Sequence, residues 1–388
     1  MKTKQIPSIA LAIMALVYLP AFAYSQEITV KWSVLTPATT PVKSRVYIAG
    51  NHPALGDWDP GSIELRKESD NLWTYMAKFP KGLRLEWKIT RGSWSNQAIN
   101  EQGVIPGNAF LDITKDTTIV VRPKNWSDFG IQRIGKITGT VRYHRKFKGK
   151  GLQHDRDVIV WLPPSYARKA KQRFPVLYMH DGQNVFDPTT SFLGTDWQVD
   201  EVADSLMRAN QMEECIIVGI YNSSDRVPEY SDSELGRNYA KFVVAELKPF
   251  IDRTYRTKAD AANTAVMGSS MGGLCSFLFA WWYPDVFSKA GCLSSALLFD
   301  NDKILKEVKS YGGPRKRIRI YMDCGGRGME ARLKKGMDDM REILKGKGFK
   351  EGIDFEYFYD ETAEHNEAAW AARVWRPLKF LFTKAQKD

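Results

Sequence analysis

The chain carries one stretch whose residue types and spacing suit nucleophilic chemistry. Thr264-Ala265-Val266-Met267 runs into Gly268-Ser269-Ser270-Met271-Gly272-Gly273, and a helix-forming segment follows. Gly-x-Ser-x-Gly at the end of an apolar run puts its serine on a tight strand-to-helix turn. Side chains at the outer glycine positions would meet neighbouring backbone there, and the strain holds the hydroxyl clear of the sheet. Ser270 is the expected nucleophile, with the amide of Met271 beside it as an oxyanion donor.

A serine hydroxyl needs a base, and with five histidines the candidates can be enumerated. His52 lies in an N-terminal segment, His144 and His154 precede the main run of strands, and His180 ends the apolar stretch Pro175 to Met179. Elbows of this kind carry their partners in the order serine, acid, histidine. His365, in Ala363-Glu364-His365-Asn366, follows the last expected strand and precedes a helical segment running towards Phe382. It is the expected general base, rather than a solvated histidine at a helix start. A second oxyanion amide is expected from Gln183, because the glycine in His180-Asp181-Gly182-Gln183-Asn184 lets the backbone turn back towards the nucleophile. Asp181, Asn184 and Asp187 lack the remaining ligands of a calcium loop, so no metal is expected.

These side chains need a scaffold. Strands are expected at Gly139 to Tyr143, Asp157 to Leu162, Pro175 to His180, Ile216 to Tyr221, Thr264 to Met267, Lys289 to Leu293, Arg317 to Met322 and Phe355 to Tyr359. Helical stretches such as Val199 to Arg208, Tyr239 to Arg253, Met271 to Tyr283 and Arg332 to Lys345 lie between them. That alternation predicts an α/β domain over 138–388, a mostly parallel eight-stranded sheet with helices on both faces. Upstream, short alternating runs separated by Gly, Pro and Asn predict a small all-β sandwich over 26–123. Residues 124–137 read as a linker, with Asn125-Trp126-Ser127-Asp128 as turn residues. The polar stretch Asn222 to Arg237 follows a strand C-terminus, where such sheets bind ligands, so Arg226 and Tyr230 are expected substrate contacts.

Residues 1–25 read as an export signal: Lys2 and Lys4, the apolar stretch Ile9 to Leu19, and Ala21-Phe22-Ala23 as a processing site. No cysteine follows that stretch and no other window could span a membrane, so an exported chain without a lasting membrane anchor is expected. The four cysteines sit in or beside apolar elements and read as buried free thiols, and their spacing fits no zinc site. The net charge of +11 comes without any nucleic-acid motif and reads as a solvated basic face.

Two resemblances follow from these residues. Val46-Tyr47-Ile48-Ala49-Gly50-Asn51, Leu55-Gly56-Asp57-Trp58, Leu72-Trp73, Glu86-Trp87-Lys88-Ile89-Thr90-Arg91 and Trp94 resemble the starch-binding carbohydrate modules of amylases and glucoamylases. The resemblance implies an exposed platform of Trp58 and Trp94 with Lys88 beside it, on which sugar rings stack. The stretch Ser95-Asn96-Gln97-Ala98 departs from that family's pattern, so a ligand other than starch is open. Trp161-Leu162-Pro163-Pro164-Ser165-Tyr166, the His180 to Asn184 turn, the elbow and Glu364-His365-Asn366 resemble the esterase D-like superfamily, which holds family one carbohydrate esterases (acetylxylan and feruloyl esterases) and enterochelin esterases. This implies an α/β-hydrolase fold, a cofactor-free Ser-His-acid mechanism and an ester substrate.

In that family the acid lies just beyond a strand ending in Asp-x-Gly. Here the loop reads Asp323-Cys324-Gly325-Gly326-Arg327-Gly328-Met329-Glu330, with no acid at the usual place. Glu330 is one candidate and Asp323 the alternative. The function expected is an exported serine esterase removing acetyl or feruloyl groups from polysaccharide, with a glycan held by the N-terminal module. A siderophore esterase and a non-catalytic glycan-binding protein are the alternatives.

Overall fold

The structure is a computed structural model describing residues 26–100, 105–129 and 137–383. The expected signal peptide lies outside the described residues. The N-terminal module is a sandwich of two four-stranded sheets. One runs Arg66–Lys67, Leu72–Pro80, Glu27–Leu35, Thr117–Val121, and the other Ile63–Glu64, Tyr47–Gly50, Arg84–Thr90, Ala109–Asp112. The alternation in Glu27–Leu35 explains the packing: Ile28, Val30, Trp32 and Val34 point inward and form the core with Phe79, Leu85 and Trp87, while the residues between them face outward.

The linker begins later than the sequence predicts. Asn125–Trp126 pairs with Ala98–Ile99, and Trp126 is fully buried in the sandwich core, its indole N–H donating to Thr40 Oγ1 at 2.9 Å. The turn-forming neighbours Asn125 and Ser127 disguised a core tryptophan as loop. Residues 130–136 of the expected linker lie outside the described residues.

The second domain is built on an eight-stranded sheet in the order Thr140–Phe147, Arg156–Leu162, Ile216–Ile220, Val176–His180, Thr264–Ser269, Lys289–Leu293, Arg319–Gly325, Phe355–Asp360. Arg156–Leu162 is antiparallel to both neighbours, and from Ile216–Ile220 onward the pairs are parallel. The central strands Val176–His180, Ile216–Ile220 and Thr264–Ser269 are buried at every position, as expected for a sheet covered on both faces. Two apolar clusters, one on each face, provide the cover. This is the α/β-hydrolase architecture the sequence predicts.

The helix Met271–Trp282 behind the elbow is apolar around nearly its whole circumference and is buried accordingly. The segment read as one helix from Tyr239 to Arg253 starts earlier, at Glu234, and continues to Thr254 through a π-helical turn at Val243–Leu247.

Candidate active site

Loops leaving the C-terminal edge of the sheet, the edge at which α/β sheets bind ligands, carry the residues of interest. Ser270 follows Thr264–Ser269 with φ 57° and ψ −121°, a conformation that side-chain-bearing residues rarely adopt. The turn closes because a Cβ on Gly268 would lie 2.7 Å from the backbone of Gly272. The two outer glycines of the elbow therefore pack directly on each other. Beside it, the start of the helix abuts the end of Val176–His180, since a Cβ on Gly272 would reach Asp181 Oδ2 at 3.3 Å and His180 Cβ at 3.4 Å.

That contact brings in the loop of Gln183. Gly182 lies so tightly against the neighbouring strand that a Cβ there would fall 2.4 Å from the Gly219 carbonyl carbon. Gln183 belongs to the short helical turn Gly182–Asn184 and Met271 opens the helix Met271–Trp282. Both amides thus occupy first-turn positions, where N–H groups have no intrahelical partner and are available to an anion. Asp181 holds the loop from below. Its carboxylate accepts two bonds from Arg226, Nε to Oδ1 and Nη2 to Oδ2, each 2.7 Å, and one from Asn222 Nδ2 at 2.6 Å.

His365 sits immediately before the helix Glu367–Arg373, whose first turn is capped by Asn366 accepting from the Ala369 amide at 2.9 Å. Its Nδ1 is 2.9 Å from Glu330 Oε1, and its ring meets Trp370 edge-on at 5.0 Å. Glu330 is fully buried in the first turn of the helix Met329–Gly346. Its other oxygen, Oε2, accepts from the Gly325 amide at 2.7 Å. Burial alone would raise this carboxyl. The hydrogen bond and charge of His365, with bonds from Ser294 and the Gly325 amide, outweigh it and hold Glu330 below the ordinary glutamate value. The group beside His365 Nδ1 is therefore a carboxylate, and Nε2 is left as the ring nitrogen able to take a proton.

Asp323, the alternative acid, is not brought to the histidine. It is fully buried, its Oδ1 lies 3.1 Å from Arg373 Nε, and burial pushes it up to about 6 despite the pull of Arg373, with repulsion from Glu330 added. Tyr230 is also displaced from its expected role. The ring is fully buried and its hydroxyl accepts the Asp181 amide at 3.1 Å, so it supports the Gln183 loop from inside and offers no surface to a ligand. Arg226 does the same through Asp181, with part of its guanidinium exposed.

In the N-terminal module Trp58 and Trp94 lie together, their ring centroids 6.4 Å apart and tilted by 40°, each half-buried. Lys88 does not stand free beside them. Its ammonium donates to Gln97 Oε1 at 3.2 Å and Pro106 O at 2.8 Å, and burial lowers it to about 8 against the pull of Glu367. Among the other histidines, His180 is buried against Tyr239 (3.0 Å) and its pKa is pushed down to about 3, which leaves it neutral.

Residues that sequence reasoning missed surround this core. The Ser294 hydroxyl oxygen accepts from Trp370 Nε1 at 2.9 Å and Arg373 Nη2 at 2.7 Å. Glu367 is buried beside Asn184, which donates to it at 3.3 Å. The signal was available: Glu367, Trp370 and Arg373 recur every third residue, marking one face of the helix after His365 as inward.

Residues 149–381 match the family described as "Putative esterase". The chain belongs to this esterase family. It is a carboxylic ester hydrolase by class, as the sequence predicts, and residues 27–111 match the "Starch binding domain" family, so both resemblances hold. A protein of Xylanibacter ruminicola named "Endo-1,4-beta-xylanase/feruloyl esterase" is 27% identical over 343 residues, covering 85% of this chain and 42% of the relative. The chain thus spans less than half of that relative's length. An alpha-amylase of Niallia circulans is 27% identical over 104 residues, 26% of this chain and 8% of the amylase. Among solved structures, a ferulic acid esterase matches with TM-score 0.52 at 23% identity, over 63% of this chain and 98% of its own. The enterobactin esterase of Shigella flexneri matches with TM-score 0.55 at 14% identity over 92% of each chain. At these identities the likeness is one of fold. Among the described residues no helix is long and apolar enough to cross a membrane.

Proposed function

We propose that this esterase is an exported serine hydrolase that removes acetyl or feruloyl groups from polysaccharides or oligosaccharides. The observation that carries the reading is the buried Glu330 carboxylate on His365 Nδ1, at the same sheet edge as the strained Ser270. Ser270 Oγ attacks the ester carbonyl while His365 Nε2 takes its proton. The tetrahedral oxyanion is held by the Met271 and Gln183 amides. Collapse expels the sugar hydroxyl, which receives the proton from His365 and leaves an acyl-serine. Water then attacks the acyl-serine, again giving its proton to His365, and the carboxylic acid departs as Ser270 recovers its hydrogen. Glu330 keeps the imidazole in one tautomer and balances the imidazolium formed in each half-reaction. The polysaccharide preference is supported by the starch-binding-type module, and the feruloyl option by the name of the Xylanibacter ruminicola relative.

The test is hydrolysis of an aryl acetate and of methyl ferulate by the wild type and Ser270→Ala. Turnover that the variant loses is the expected result, with the substrate ratio separating acetyl from feruloyl esters. Turnover that survives in Ser270→Ala rejects the nucleophile. Because the match to the enterobactin esterase spans 92% of both chains, a cyclic catecholate triester belongs in the same assay. Preference for it over both simpler esters replaces the polysaccharide reading with a siderophore one.

A further inference from the structure

The two modules meet over the catalytic residues. In Arg84–Thr90 the buried Leu85, Trp87 and Ile89 turn into the sandwich, so the alternating Glu86 and Lys88 face the hydrolase. Glu86 Oε1 accepts from Arg332 at 2.8 Å, two residues beyond Glu330. Lys88 and Glu367, the latter two residues beyond His365, are close enough for each to bias the other's ionisation. Nearby, a Cβ on Gly107 of the sandwich would lie 3.4 Å from Glu364 Oε2. The helix that carries Glu330, and the turn and helix that begin at His365, are thus the surface on which the N-terminal module sits.

Beside this contact a cleft of about 440 Å³ opens between the modules, walled by Trp94, Ser95, Ile105 and Ser127 on one side and by Ser191 and Phe192 on the other. Its volume falls within the range of small-molecule sites, about 300–1,000 Å³. Phe192 is a half-exposed aromatic ring on the hydrolase wall. Its amide donates to Asn184 Oδ1 at 3.0 Å, and Asn184, next to Gln183, also donates to Glu367. The Phe192 wall is therefore tied to the oxyanion loop and to the helix behind His365. The opposite wall continues through Trp94 to Trp58. Ser127 donates its hydroxyl proton to Ser95 O, which leaves its oxygen able to accept. Aromatic faces with a hydroxyl acceptor between them match the C–H faces and O–H groups of a sugar ring.

We infer that this cleft is a glycan subsite built by both modules: an oligosaccharide lying on Trp58 and Trp94 continues between Trp94 and Phe192 and presents its ester to Ser270. The inference rests on the esterase reading and adds that the module is a wall of the site rather than a distant tether.

The test is calorimetric titration of Ser270→Ala, a background without turnover, with xylohexaose and maltohexaose. One of the two is expected to bind, and Phe192→Ala and Trp94→Ala, each added to that background, are expected to raise Kd about tenfold, the loss of one aromatic contact. Binding to neither sugar overturns the inference. So does binding that Trp94→Ala weakens and Phe192→Ala leaves intact, which would return the module to independent carbohydrate capture. Phe192 is exposed enough that its truncation leaves the fold standing, which a melting curve verifies. Aryl acetate turnover by the wild type is read separately, so failure of the cleft and failure of the esterase reading are told apart.

Discussion

Replacing Glu330 by Gln separates the two acids of the Asp323 to Glu330 loop. The Gly325 amide donates to Glu330 Oε2 at 2.7 Å and requires an oxygen there. In Glu330→Gln the amide oxygen is held at that position, so the NH2 group faces His365 Nδ1 in place of Oε1. The ring must then accept at Nδ1 and carry its proton on Nε2, where it can no longer take one from Ser270. A wrong tautomer in a serine triad costs about 10⁴ in kcat, or about 5–6 kcal/mol of transition-state stabilisation. Asp323→Asn leaves His365 and Glu330 bonded and is expected to keep kcat within about tenfold. Its effect falls on stability and stays within about 2 kcal/mol, because burial already disfavours the Asp323 charge and Arg373 keeps Glu330 Oε1 at 4.0 Å. Steady-state kinetics on an aryl acetate and urea unfolding of both variants measure the two effects. If Asp323→Asn loses as much kcat as Glu330→Gln, or Glu330→Gln keeps a tenth of wild-type kcat, the assignment of Glu330 is wrong.

Three further outcomes are expected. Ser270→Gly abolishes turnover yet raises stability by about 1 kcal/mol, because glycine relieves the positive φ that Ser270→Ala retains; a lower melting temperature for the glycine variant than for the alanine one would contradict the strain. Glu367 is pushed up to about 7 by burial, from 4.5, so the folded state takes up a proton and its contribution to stability is present below about pH 4.5 and lost as pH rises through about 7. Glu367→Gln keeps the bond from Asn184 and cannot titrate, so its stability relative to wild type should grow by about 3 kcal/mol from about pH 4.5 to about 7.5; a pH-independent difference in unfolding free energy would refute this. Cys215, Cys275, Cys292 and Cys324 are all buried and unpaired, so a thiol reagent should find none in the native protein and all four after denaturation, with no change in melting temperature on reduction.

Legibility in the sequence followed how local each constraint is. The elbow could be read because Gly268 and Gly272 touch within one turn, and the sheet because its central strands are continuous apolar runs. His365 emerged by enumeration. Glu330 stayed one of two candidates because its position depends on distant backbone: Gly326 and Arg327 donate to the Ala363 carbonyl at 3.2 and 3.1 Å, which seats the loop against the His365 turn. Tyr230 was misjudged because a polar stretch can still bury one ring, here beneath Asp181, and Trp126 because turn-forming neighbours flank it. Lys88 read as a surface cation; its ammonium is tied to Gln97 and Pro106 of its own sandwich, and it feels Glu367 only because the second domain packs there. No periodicity within one module encodes a contact made by the other.

The order of the strands has a consequence for biosynthesis. Ser270, Glu330 and His365 leave three different strands of the C-terminal half of the sheet, and the base comes last, on the turn before the final helices. On the roles proposed above, a ribosome delivers the nucleophile well before its base, and the hydroxyl stays unactivated until Phe355–Asp360 pairs with Arg319–Gly325 and carries His365 onto Glu330. Removal of the helices Glu367–Arg373 and Trp375–Leu381 would also strip Trp370, Val374, Leu378 and Phe380 from the apolar cluster on that face of the sheet, so the base and the cover of the sheet arrive, and are lost, together.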